Sequence, residues 1–103
     1  MPYRLFFHPS AERELEDIYD YIADQSGPIR AESFVSSIRD HCKQLVEFPE
    51  RGTLRDDLRP GLRVIGFRRR VSIAFAVKGD RVTIIGIFYG GRDMTADIFS
   101  LRS

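Results

Sequence analysis

The stretch "LRVIGFRRRVSIAFAVKGDRVTIIGIFY", residues 62–89, decides the fold. "LRVIGF" (62–67) and "RVSIAFAV" (70–77) read as strands, the second alternating Val71, Ile73, Phe75 and Val77 on one face. "KGD" (78–80) is a tight-turn signal, and "RVTIIGIFY" (81–89) is the returning strand. If the alternating residues face a core, Arg70 and Ser72 face the other way, and Arg68 shares their parity if the strand is regular there. Arg63 follows "RPG", where the chain enters the sheet. With Arg92 these residues make a basic sheet face or rim. It is either ordinary solvated charge or a surface meant for something negative, and both readings stay open here.

Upstream of the sheet the period changes. "YRLFF" (3–7) is a short aromatic-rich strand ended by Pro9. Ser10 is the expected N-cap of a helix, with Glu12 and Glu14 complementing its dipole. Ala11, Leu15, Ile18, Tyr19 and Ile22 recur at helical spacing to about Asp24, and "QSGP" (25–28) breaks the pattern. Ala31, Phe34, Val35, Ile38, Cys42, Leu45 and Val46 mark a second helix that stops at "FPERG" (48–52). Two amphipathic helices with a short connection form an antiparallel hairpin. The tail "MTADIFSLRS" (94–103) reads as a short terminal helix. The expected fold is α+β, in the order β-α-α-β-β-β, with a helical hairpin packed on an antiparallel sheet.

The 103 residues make a single domain, 1–103, able to hold one core without staples. Net charge is +1, but residues 1–50 carry five basic and ten acidic groups, and residues 51–103 carry eleven basic and five acidic. Such halves imply an acidic element and a basic element on different surfaces. Fourteen of the sixteen basic residues are Arg, which favours fork-like contacts to carboxylate or phosphate. A single cysteine, Cys42, excludes an internal disulfide and a cysteine metal cluster. The opening "MPYRLFFHPS" is too short in apolar residues for a signal peptide, and no stretch approaches the ~20 residues of a membrane span. The expectation is a soluble, cytoplasmic protein.

No catalytic signature stands out: there is no phosphate-binding glycine loop, nucleophile elbow or metal-ligand spacing, and no cofactor is expected. His8, at a strand end, and His41, on a helix flank, read as structural. Cys42 falls on the apolar stripe and reads as a small core residue. Tyr19 and Tyr21 read as packing residues of the first helix. Tyr89 differs, because it ends the last strand before "GGRD" (90–93), whose glycines let the chain turn and present Arg92. Arg92 either pairs with Asp93 on the surface or binds a partner.

The segments "FPERGTLRDDLRPGLRVIGFRRRVSIAFAV" (48–77) and "VTIIGIFYGGRD" (82–93) resemble the ParE branch of the RelE/ParE toxin superfamily. "P-x-x-G" after the second helix, "LRPGLR" before the sheet and a terminal "GRD" carry the likeness, and "SAERELEDIYDYI" (10–22) resembles the family's first helix. The likeness spans nearly the whole chain. It implies a bacterial toxin held inactive by a cognate ParD-like, DNA-binding antitoxin in a hetero-oligomeric complex, with DNA gyrase as the target.

In the RelE branch the implied activity is instead ribosome-dependent cleavage of messenger RNA. Such metal-free cleavage needs a base, a cation for the phosphate and an acid for the leaving group. Tyr89, Arg63, Arg70 and Arg92 supply an acid and cations, but no convincing base, so the protein-binding inhibitor is the preferred reading. A retained fold with lost activity is a third. The terminal motif also departs from the family's pattern: Tyr89 stands where a histidine is common, and Gly91 interrupts a "GRRD"-like run. The family's antitoxins carry a flexible, often acidic segment that folds onto the toxin. That assigns Arg63, Arg68, Arg70, Tyr89, Arg92 and Asp93 to antitoxin or target binding.

Overall fold

The computed structural model describes residues 3–102. Its elements are β1 (Arg4–Phe7), α1 (Pro9–Ser26), α2 (Pro28–Gln44), β2 (Thr53–Leu54), β3 (Leu62–Phe67), β4 (Val71–Lys78), β5 (Arg81–Tyr89) and α3 (Ala96–Ser100). The α+β class and the helical hairpin on a sheet are as expected from the sequence. The sheet order is β1-β5-β4-β3-β2. Tight turns make β3, β4 and β5 antiparallel, as read above, whereas β1 pairs with β5 in parallel. No hairpin constrains β1, because the whole of α1–α2 separates it from the sheet, so its direction was never set by a local turn. The two-residue β2 was not anticipated and pairs through Thr53 and Leu54 with Val64 and Arg63.

Helix α1 starts two residues earlier than expected. Pro9 takes the first helical position, where its missing N–H is no loss. The cap therefore falls to His8, whose Nδ1 accepts from the Ser10 amide at 3.0 Å. Ser10 sits inside the first turn and its Oγ accepts from Arg13. A single residue, Gly27, separates α1 from α2, at φ 92°, and Pro28 opens the second helix. The Gly27 amide donates to Ala23 and its carbonyl accepts from Ala31. The helices are also joined by a bidentate pair, Arg39 to Glu12, at 2.9 and 3.0 Å. That hydrogen-bonded guanidinium holds the Glu12 carboxyl below its ordinary range.

The sheet is buried on both faces. Leu15, Ile18, Ile38 and Leu45 of the hairpin side pack on Val71, Ile73, Phe75, Val82 and Ile84. On the other face Phe99 of α3 and Leu58 pack with Leu62, Ala74, Ile85 and Phe88. This corrects the expected basic sheet face: Ala74, two residues beyond Ser72, is fully buried beneath a second core. A β-bulge between Ala74 and Phe75 inserts an extra residue in β5. It lets Val82 and Ile84 before it, and Ile87 and Tyr89 after it, all face the helices despite their changed parity.

Candidate partner-binding cleft

The hairpin tip, the β3–β4 turn and the end of β5 meet at one end of the molecule. Phe67, Arg68, Arg69 and Arg70 form the turn, with the Arg70 amide donating to the Phe67 carbonyl at 3.2 Å. Arg68 and Arg69 have φ of 51° and 60°, so both central residues are left-handed, where glycine or asparagine is the usual occupant. The three arginines thus leave the sheet and stand exposed at its tip, rather than lying on its face. Arg68 stacks 5.0 Å over the Phe67 ring. Gly90 donates to the Arg70 carbonyl at 2.7 Å, which ties this tip to the end of β5.

Between tip and hairpin lies a cleft of about 380 Å³, walled by Tyr21, Ile22, Phe34 and Tyr89, with Arg30 and Arg70 also lining it. Its aromatic wall is continuous. Tyr21 and Tyr89 rings lie 5.7 Å apart, and Phe34 meets Tyr89 edge-on at 6.0 Å and Phe67 at 6.3 Å. Tyr21, expected to be a packing residue, is 53% exposed and forms the outer wall.

The expected site residues divide. Arg70 and Tyr89 share this cleft, and Arg68 stands beside it on the turn. Arg92 lines an adjoining groove with Asp17, Tyr21 and Tyr89, its Nη1 3.8 Å from Glu14 Oε2. Asp93 follows it, exposed. Arg63 is not brought in: it pairs with Leu54 and Phe75, on the same strand face as Ile65 and Phe67. It lies about 13 Å along β3 from Phe67. Arg30, which the sequence reading passed over, is brought in because the one-residue Gly27 link places the start of α2 against the end of α1.

A second missed feature supports this end from behind. Glu14, read as a dipole partner, is buried instead. It accepts from Arg102 at 2.9 and 3.0 Å and from the Ile87 amide at 2.9 Å. Arg102 also donates to the Ile85 carbonyl at 3.0 Å. Strand β1 ends opposite Ile84, so the edge of β5 beyond it would otherwise carry bare backbone groups. Gly86 leaves the room that the guanidinium occupies.

The remaining titratable candidates are structural. Cys42 is fully buried, and burial pushes its thiol up to about 12. Burial, and then the Arg51 charge, lowers the His41 pKa, and its ring packs 4.9 Å from Phe67. Among the described residues no group of three or more His, Cys, Asp or Glu is placed to hold a metal ion. Among the same residues no helix is long and apolar enough to cross a membrane.

Comparison with known proteins places the fold. No curated protein matches the sequence. A solved structure described as the chromosomal ParDE TA system from P. aeruginosa is similar, with TM-score 0.76 and 29% identity. The likeness covers 85% of this chain and 96% of that one. The family model for the ParE toxin of the type II toxin–antitoxin system, parDE, matches residues 5–94. With the family matched over most of its length, the chain belongs to the ParE toxin family.

Proposed function

We propose that this ParE-type toxin arrests bacterial growth by poisoning DNA gyrase and is neutralised by a cognate ParD-like antitoxin. The observation that carries the reading is the exposed arginine and aromatic end, where Arg70, Tyr89 and Arg92 line a cleft and its adjoining groove and Arg68 stands beside them on the β3–β4 turn. Arginine forks beside tyrosine walls are the composition of protein-binding hot spots. In the same reading Asp93 sits at the rim, and Arg63 serves a separate contact along β3.

Messenger-RNA cleavage draws less support. It needs Tyr89, Arg63, Arg70 and Arg92 around one phosphate, and Arg63 stands apart from the other three. The relative described as a ParDE system supports a toxin–antitoxin partnership for this chain, and with it a cytoplasmic site of action.

The test is a gyrase supercoiling and cleavage assay with the purified chain, with and without the product of its neighbouring antitoxin gene. Inhibition with accumulated cleaved DNA, reversed by antitoxin, is the expected result. Folded protein that leaves gyrase untouched overturns the gyrase reading, and cleavage of ribosome-bound messenger RNA by that protein would install the alternative.

A further inference from the structure

We infer that Arg102 is a positioning residue: by holding the Glu14 carboxylate it keeps Arg92 from being drawn inward and leaves that guanidinium presented to a partner. The inference rests on the proposed reading of Arg92 as a contact residue and adds what governs its availability. Three observations carry it.

The first is competition for one carboxylate. Glu14 Oε2 lies 2.9 Å from Arg102 Nη2 and 3.8 Å from Arg92 Nη1. Among the described residues no other cation stands within ion-pair distance of Glu14. The two guanidiniums also share an aromatic neighbour, Arg102 lying 5.4 Å and Arg92 5.7 Å from the centre of the Phe88 ring.

The second is occupancy. A carboxylate offers about four acceptor sites. Glu14 Oε1 accepts from Arg102 and from the Ile87 amide, and Oε2 accepts from Arg102. With its charge matched in this way it draws only weakly on Arg92, which stays 57% exposed while Arg102 is 12% exposed. The third is anchorage. The Arg102 amide donates to the Phe99 carbonyl at 3.1 Å, and its own carbonyl accepts from Arg59 at 2.7 Å, beside the buried Phe99 ring. Arg92 follows Gly90 and Gly91, outside any helix or strand, so it is the guanidinium with freedom to move.

A buried carboxylate stripped of its cation must find another or lose its charge. Without Arg102, Glu14 closes on Arg92, whose 3.8 Å contact need only shorten to the about 2.8 Å of a charge-assisted hydrogen bond. The guanidinium that a partner should meet is then turned into the fold.

The experiment follows the arginine Nε–H signals of the isotopically labelled full chain by NMR. It compares the unmodified protein, Arg102→Met, and Arg102→Met combined with Glu14→Gln, with amide spectra confirming that each is folded. Arg102→Met should slow solvent exchange at the Arg92 Nε–H about tenfold, and adding Glu14→Gln should restore the original rate. Arg102→Lys, whose ammonium lacks the fork that spans both carboxylate oxygens, should give an intermediate slowing and serves if the methionine variant does not fold. A folded Arg102→Met or Arg102→Lys chain in which Arg92 exchanges at its original rate overturns the inference. Slowing that persists after Glu14→Gln does the same. Antitoxin affinity is then measured on these variants: Arg92→Gln and Arg102→Met should each weaken it about fivefold, and Glu14→Gln should recover the loss in Arg102→Met. If Arg92→Gln weakens binding and a folded Arg102→Met with slowed exchange does not, the inference also falls. Unchanged affinity in Arg92→Gln instead removes Arg92 from the docking surface, which overturns the proposed reading and not the competition for Glu14.

Discussion

Arg102 grips Glu14 with both terminal nitrogens, across 88 positions of sequence, at 2.9 and 3.0 Å. The side chains are 12% and 8% exposed, so this is a buried pair, and its remaining valences go to the Ile85 carbonyl and the Ile87 amide. Breaking one side of such a pair leaves an uncompensated buried charge, at about 3–5 kcal/mol. Arg102→Met and Glu14→Ala should each lower stability by about 3 kcal/mol, or roughly 12–20 °C in melting temperature. The double variant should fall well short of the sum, which a denaturant-unfolding cycle will measure.

Gly86 should be intolerant for the same reason. A Cβ there would lie 2.6 Å from a Phe88 ring carbon and 2.7 Å from Arg102 Nη1. Gly86→Ala should therefore cost about 1–3 kcal/mol in chemical denaturation. An Arg102→Met background should relieve only the part due to the guanidinium, because the buried Phe88 ring still stands in the way.

The β3–β4 turn should show the opposite sign. Replacing Arg68 and Arg69 by Asn and Gly suits a turn with two left-handed central residues. The relief is about 1–2 kcal/mol per residue for the glycine position and less for asparagine, offset by about 0.5 kcal/mol for the lost stacking on Phe67. A net gain of about 1 kcal/mol in urea unfolding, together with weaker antitoxin binding, would show strain retained for contact. A gain with unchanged binding would assign the arginines to solvent.

Two groups make stability depend on acidity. His41 titrates below its ordinary 6.5 because burial disfavours its charge and Arg51 repels it. The unfolded chain therefore takes up a proton that the folded chain refuses, and stability present above 6.5 drains away as pH falls below it. Urea midpoints should decline between about pH 7 and pH 5, and His41→Phe should flatten that limb. Glu12 adds a lower window. Its carboxyl is held below 4.5 by Arg39, so its contribution is present above 4.5 and is lost as pH falls through the folded value. Both partners are more than a third exposed, which keeps that contribution under about 1 kcal/mol.

Cys42 should be silent in the native state. A fully buried thiol pushed up to about 12 offers almost no thiolate at neutral pH. Iodoacetamide should label it only in denaturant, and appreciable labelling of folded protein would contradict the packing described for α2.

What the sequence determined by itself was local. The alternation from 71 to 77, the "KGD" turn and the two helical stripes set the strands, the hairpins and the face of α1–α2 that is buried, because each rests on neighbours a few residues apart. Even the terminal helix was legible from its short apolar tail. Only the tertiary structure decided the parallel seating of β1, the second core that removes the expected basic face, and the union of Glu14 with Arg102. It also decided that Arg30 joins Arg70 and Tyr89 while Arg63 stays apart. These depend on which distant backbone groups lack a partner and which side chains can reach them, and periodicity along the chain carries no record of either.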